Sequence, residues 1–107
     1  MITARITLNG EKYAVRASTA AAVYYEQVTG KGFDLDTLTD QMLYCWCMVI
    51  AANPDKPMLD FRTFLDALDA SPDAADGFAA LLDDLRRRSQ AAQAVTVREA
   101  GDGSKKN

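Results

Sequence analysis

Hydrophobic residues change their period along the chain. From Ile2 to Leu8 (Ile-Thr-Ala-Arg-Ile-Thr-Leu) they recur at every second position, and Tyr13, Val15 and Ala17 continue the pattern. That is the spacing of a strand with one buried face. Asn9-Gly10 lies between the two runs and suits the two positive-φ positions of a type I′ hairpin turn. With those residues as the loop, Leu8 faces Glu11, Ile6 faces Tyr13, Ala4 faces Val15 and Ile2 faces Ala17. The apolar residues then share one face, while Thr7–Lys12, Arg5–Ala14 and Thr3–Arg16 form the other. A slip of one residue would reverse every side chain, so the register is well specified. Two strands alone are marginal in water, and the apolar face must rest on helices.

Beyond the hairpin the period lengthens to that of a helix. Ser18 or Thr19 can cap a segment from Ala20 to Thr29, with Ala21, Tyr24, Tyr25 and Val28 on its apolar side and Gly30 as its stop. Asp36 or Thr37 can start the next helix. Its run from Met42 to Ala52 (Met-Leu-Tyr-Cys-Trp-Cys-Met-Val-Ile-Ala-Ala) is apolar or aromatic throughout, and Asn53-Pro54 ends it. Met42, Leu43, Trp46, Cys47 and Ile50 fall on one side of this helix, and Tyr44, Cys45, Met48 and Ala52 on the other. A helix apolar all round must be covered all round, by its own domain or by a partner. It is too short for a bilayer, which needs roughly twenty apolar residues.

Asp60 can cap a third helix carrying the stripe Phe61, Phe64, Leu65 and Leu68. Ser71-Pro72 opens a fourth, with serine at the cap and proline at the first helical position. Asp73 and Asp76 in its first turns and Arg86, Arg87 and Arg88 near its end match the helix dipole, and Phe78, Leu81, Leu82 and Leu85 form its buried side. The arginine triplet reads as a solvated helix end or as a docking patch. The expected fold is α+β and mainly helical: an N-terminal hairpin and about four helices in one domain over residues 1–92. Residues 93–107, ending Gly-Asp-Gly-Ser-Lys-Lys-Asn, are expected to be a disordered tail.

Charge and chemistry narrow the function. The chain of 107 residues suits one core and carries a net charge of −3. Residues 34–84 hold eleven acids and two bases, whereas the segments on either side are net basic. An acidic helical middle argues against nucleic acid as a partner. The alternating N-terminus holds no apolar signal-peptide core, which gives an expectation of the cytoplasm. Cys45 and Cys47 have neither redox nor zinc spacing, there is no histidine, and both read as buried free thiols. Asp34, Asp36 and Asp40 fail as a calcium loop, because the sixth and twelfth positions from Asp34 are Thr39 and Cys45 rather than glycine and glutamate. They read as capping and solvated acids. Thr29-Gly30-Lys31-Gly32 follows a helix and lacks phosphate-loop spacing, so it reads as a stop and turn. No nucleophile–base set can be built; no enzyme activity, metal or cofactor is expected, and a binding module fits better.

The order of parts carries a resemblance. An Asn9-Gly10-Glu11-Lys12-Tyr13 hairpin is followed by a helix ending Glu26-Gln27-Val28-Thr29-Gly30-Lys31, an apolar helix, Asn53-Pro54-Asp55 and a Phe61-x-x-Phe64-Leu65-Asp66 helix. Over about residues 2–90 the chain resembles phage or prophage tail assembly chaperones of the siphophage type. The resemblance implies a non-enzymatic protein of the bacterial host cytoplasm, absent from the finished virion. It implies binding to the tape measure protein, which is kept soluble, recruitment of tail tube protein, and self-association. Many chaperones of that family are made in two lengths by −1 frameshifting, and Lys105-Lys106-Asn107 reads either as the product of such a slip site or as an ordinary basic tail. Tyr44, Trp46, Met48, Phe61 and Phe64 are the expected partner contacts, since aromatic and methionine side chains dominate adaptable apolar interfaces. Core packing is the alternative reading for each. A structural tail or head–tail component, or a small acidic regulator of a host protein, are the alternative functions.

Overall fold

The computed structural model describes residues 2–88; the expected tail, residues 93–107, and the expected domain end at residue 92 lie outside them. Strands β1 (Ile2–Leu8) and β2 (Glu11–Ala17) form an antiparallel hairpin. Its register is the one that the alternation requires, from Ile2 opposite Ala17 to Leu8 opposite Glu11. Asn9 and Gly10 both take positive φ, 52° and 79°, as the tight turn demands. Ile6, Leu8 and Val15 are buried beneath the sheet, while Arg5, Thr7, Lys12 and Arg16 face outward.

Four helices follow: α1 (Thr19–Thr29), α2 (Leu38–Ala52), α3 (Phe61–Asp69) and α4, helical from residue 72 through 88. Side-chain caps fix the starts of the first three. Ser18 accepts from the Ala21 N–H, Thr37 from the Asp40 N–H and Asp60 from the Thr63 N–H. Gly30, at φ 72°, closes α1 in the left-handed conformation.

Helix α2 lies at the centre, packed against α1, β2 and α3. Six consecutive residues, Tyr44 to Val49, are buried, so the domain itself covers both sides of this stretch. Each large side chain fully buried there contributes about 1.5–3 kcal/mol. Helix α4 joins the core through Ala74, Phe78 and Leu81, and the Phe78 ring meets Phe64 of α3 edge-on at 5.6 Å. On α1 the expected apolar side is narrower than its sequence suggests. Ala21 and Tyr25 are buried and Tyr24 is half-buried, but Val28 is 43% exposed at the last turn.

Two polar contacts tie the link after α2 to the core. The Trp46 indole N–H donates to the Leu59 carbonyl at 2.6 Å. Asn53 does more than end the helix. Its Oδ1 accepts from the Ala14 N–H at 3.1 Å, and its Nδ2 donates to the carbonyls of Ala14 and Val49 at 2.8 and 2.7 Å. One side-chain amide therefore stands in for a third strand at Ala14, on the outer edge of β2, and satisfies a carbonyl in the last turn of α2. Lys56 adds an ion pair to Glu11 of the same hairpin and lies over the Tyr13 ring.

Replacing Asn53 by alanine strands the N–H and carbonyl of Ala14 together. We expect Asn53→Ala to lower stability by about 2 kcal/mol, seen as a Tm lower by about 10 °C. A melt that coincides with the unsubstituted protein would show that the amide is idle.

Candidate functional site

The five expected contact residues are found mainly inside the fold. Tyr44, Trp46, Met48 and Phe64 are buried; Phe61 is half-buried. Trp46 packs against Tyr24 and Phe61 at ring distances of 5.8 and 5.7 Å. Tyr44, Trp46, Met48 and Phe64 are large apolar side chains, and filling the protein's own core takes them. The apolar surface left for a partner lies elsewhere.

It lies between the start of α2 and the outer side of α4. One wall is built from Phe33 and Leu35 in the link before α2 and from Leu38 and Met42 in its first turns. Leu68 at the end of α3 and Phe78, Leu82 and Leu85 of α4 complete an apolar groove of about 1270 Å³. Leu38 is 71% exposed and Phe33 45% exposed, so this is an open surface rather than an internal void. Leu38 and Met42 are four residues apart, and Phe78, Leu82 and Leu85 are four and seven apart. Each set therefore forms a ridge along its helix. Leu82 and Leu85 belong to the expected buried side of α4, yet they are only half-covered. A second hollow of about 220 Å³, bordered by Tyr13, Ile50, Asn53 and Met58, is small by comparison.

The Phe33 wall is braced from behind by a buried carboxylate. Asp40 is only 5% exposed, which corrects its reading as a solvated capping acid. The Lys31 ammonium lies 2.9 Å from both of its oxygens. The Thr37 hydroxyl donates to it at 2.9 Å while accepting from the Asp40 N–H. The Tyr25 hydroxyl lies 3.0 Å from Asp40 Oδ1 and 2.8 Å from the Asp34 carbonyl. Gln41 Nε2 donates to the Leu35 carbonyl. Lys31, Tyr25 and Thr37 thus draw both ends of the 31–37 link onto the first turn of α2. Phe33 meets the rings of Tyr44 and Tyr25 edge-on at 4.8 and 5.4 Å. Hydrogen bonds from Lys31 and then Thr37 hold the Asp40 carboxyl below the ordinary carboxylate range. The same contact with Asp40 raises Lys31. Lys31, read from sequence as part of a turn, is the cation of this cluster.

Among the described residues no group of three or more His, Cys, Asp or Glu side chains is placed to hold a metal ion, and no helix is long and apolar enough to cross a membrane. Cys45 and Cys47 are free and buried, and burial pushes their thiols up to about 12 and about 11. Burial likewise pushes Tyr44 up to about 12. The arginines at the end of α4 are engaged locally: Arg86 and Arg87 pair with Asp83, and Arg88 with Asp84. Such exposed pairs contribute little to stability.

The Asp40 brace gives a pH dependence with a definite sign. The folded chain lowers the pKa of Asp40, so unfolding lets the carboxyl take up its proton more readily. The stability it supplies is complete above the ordinary carboxylate value of about 4, and is lost as pH falls through the lowered folded value. Asp40→Asn should melt below the unsubstituted protein at pH 7, with the gap narrowing as the buffer is taken below about pH 4. A gap constant with pH would show that the charge on Asp40 contributes nothing. The thiols give a second expectation. At pH 7.5, a buffer choice of roughly neutral pH where free cysteine of ordinary pKa about 8.5 reacts readily, Cys45 and Cys47 should resist iodoacetamide until denaturant is added. Prompt labelling of the native protein would mean that α2 opens readily.

Compared with protein-family models, with curated proteins and with solved structures, the chain matches none of them.

Proposed function

We propose that this protein is a phage or prophage tail assembly chaperone that binds the tape measure protein, keeps it soluble, and helps recruit tail tube protein during tail morphogenesis. The observation that carries the reading is the open apolar groove between the start of α2 and α4. At about 1270 Å³ it exceeds the roughly 300–1,000 Å³ of ordinary small-molecule sites, and apolar ridges from two helices line it. That is the form of a surface that receives the apolar stripe of a helix. A long tape measure protein, helical and partly apolar, is an aggregation hazard before the tube closes round it. A groove that covers one stripe of it at a time suppresses that hazard, and the order of hairpin and helices over residues 2–90 resembles the tail chaperones.

Co-expression tests the proposal. The reading requires a large coiled-coil protein encoded next to this one, insoluble alone, that becomes soluble and co-purifies when this chain is present. Charged replacement in the groove, Leu38→Glu, should abolish the rescue while leaving the fold intact, because Leu38 is 71% exposed and adds little to the core. A coiled-coil partner that stays insoluble, or that ignores the chain, would remove the chaperone reading. Recovery of this chain in purified particles would move it to the structural components of the tail.

A further inference from the structure

The charges around the groove are not balanced. Four carboxylates line it, Asp34, Asp36, Asp69 and Asp83, against two guanidinium groups, Arg86 and Arg88. The cations are already used: Arg86 is paired with Asp83, and Arg88 with Asp84 just outside. Asp34, Asp36 and Asp69 are exposed and make no ion pair among the described residues. The groove therefore presents an apolar floor, Met42, Leu82 and Leu85, with a rim whose unmatched charge is negative. The surrounding segment reinforces it, since residues 34–84 hold eleven acids and two bases.

We infer that the groove takes an amphipathic helix whose apolar stripe is flanked by lysine or arginine. The apolar ridges of α2 and α4 supply the contact area, and the acidic rim selects the sign of the flanks. This deepens the proposed function by naming the kind of segment in the partner that the chaperone recognises. A second copy of the chain is a poor occupant by the same chemistry. Its helices carry the same acidic excess, and like charges brought to one rim repel.

Two synthetic peptides of about twenty residues, between roughly five and six helical turns, test it on the full-length chain. Both carry leucine at i, i+3, i+4 and i+7; one has lysine on the flanking positions and the other glutamate. Calorimetric titration should show the lysine peptide binding at least about tenfold more tightly, with the difference shrinking as salt is raised. Leu38→Glu should weaken the lysine peptide by about tenfold or more, and Asp36→Lys combined with Asp69→Lys should reduce its lead over the glutamate peptide. Circular dichroism of each variant confirms folding; should Leu38→Glu unfold, Leu38→Ser serves in its place. Equal affinity for the two peptides, no binding of either, or binding indifferent to Leu38 would overturn the inference. Two other occupants would overturn it as well. One is a dimer that Leu38→Glu dissolves, which gives the groove to a second copy. The other is a tighter peptide affinity on Val95→Asp with Val97→Asp, which gives it to the chain's own C-terminal residues. The readouts separate from the chaperone test. Rescue of the coiled-coil protein without any preference for the lysine peptide leaves the chaperone and removes the basic helix. Preference for the lysine peptide without rescue does the reverse.

Discussion

A helix with no polar face constrains everything around it. Over Tyr44–Val49 helix α2 has no side that water can tolerate, and six residues in succession are buried. The chain meets this with thin elements, each too weak to stand alone. The hairpin lays one apolar face on it, α1 contributes Ala21 and Tyr25, and α3 contributes Phe64 and Ala67. Because each element has a single apolar side, each depends on α2 as much as α2 depends on it. The covering thins near the first turns of α2, where Leu38 is open and Met42 only half-covered. The groove is the place where the supply of cover runs out, which is why the candidate site sits at one end of the central helix rather than along its middle.

Asp40 marks that boundary. A carboxylate at the start of a helix is favourable in water, but this one is buried, and burial of a charge is tolerated only when its partners are fixed. Lys31, Thr37 and Tyr25 come from three different places in the chain to supply them. The result is a brace holding the 31–37 link against α2, so that Phe33 becomes a wall instead of a loose loop residue. Electrostatics therefore shapes the apolar site from behind, while the unmatched acids Asp34, Asp36 and Asp69 shape its rim from in front.

Much of this was legible in the chain. The hairpin register followed from period-two alternation on either side of Asn9-Gly10, and it is the observed one. Ser18, Thr37, Asp60 and Gly30 act locally, within one turn of their own position, and so could be read as caps without knowledge of the fold. What stayed hidden depends on residues distant in sequence. Asn53 reaches back to Ala14 across 39 positions, and nothing near Asn53 signals an unsatisfied strand edge there. Asp40 looked like any acid at a helix start, because Tyr25 and Lys31 lie 15 and 9 positions away. The contact residues were drawn from the side chains best suited to interfaces, yet Tyr44, Trp46, Met48 and Phe64 are also those best suited to a core. A small domain has few large side chains, and folding claims them first. The signal that did exist was weaker: Phe33 and Leu38 are apolar residues set among Asp34, Asp36 and Thr37, in a stretch with no strand or helix period to bury them.

An acidic rim around an apolar groove also solves a difficulty that a purely apolar groove would create. Apolar contact is indifferent to its partner, and a cell holding many copies of such a protein would drive them onto one another. The acidic rim on every copy opposes contact between rims, and on the proposed reading it favours partners whose apolar stripes carry basic flanks. It also changes how a complex forms. Rim charges mainly raise the rate of encounter, whereas release is governed by the buried contacts. Here those contacts are modest, because Met42, Leu82 and Leu85 are already half-covered, which leaves Leu38 and Phe33 as the main apolar surface a docking helix would bury. Fast capture joined to ready release is what the proposed role, a temporary cover for an apolar helix, requires.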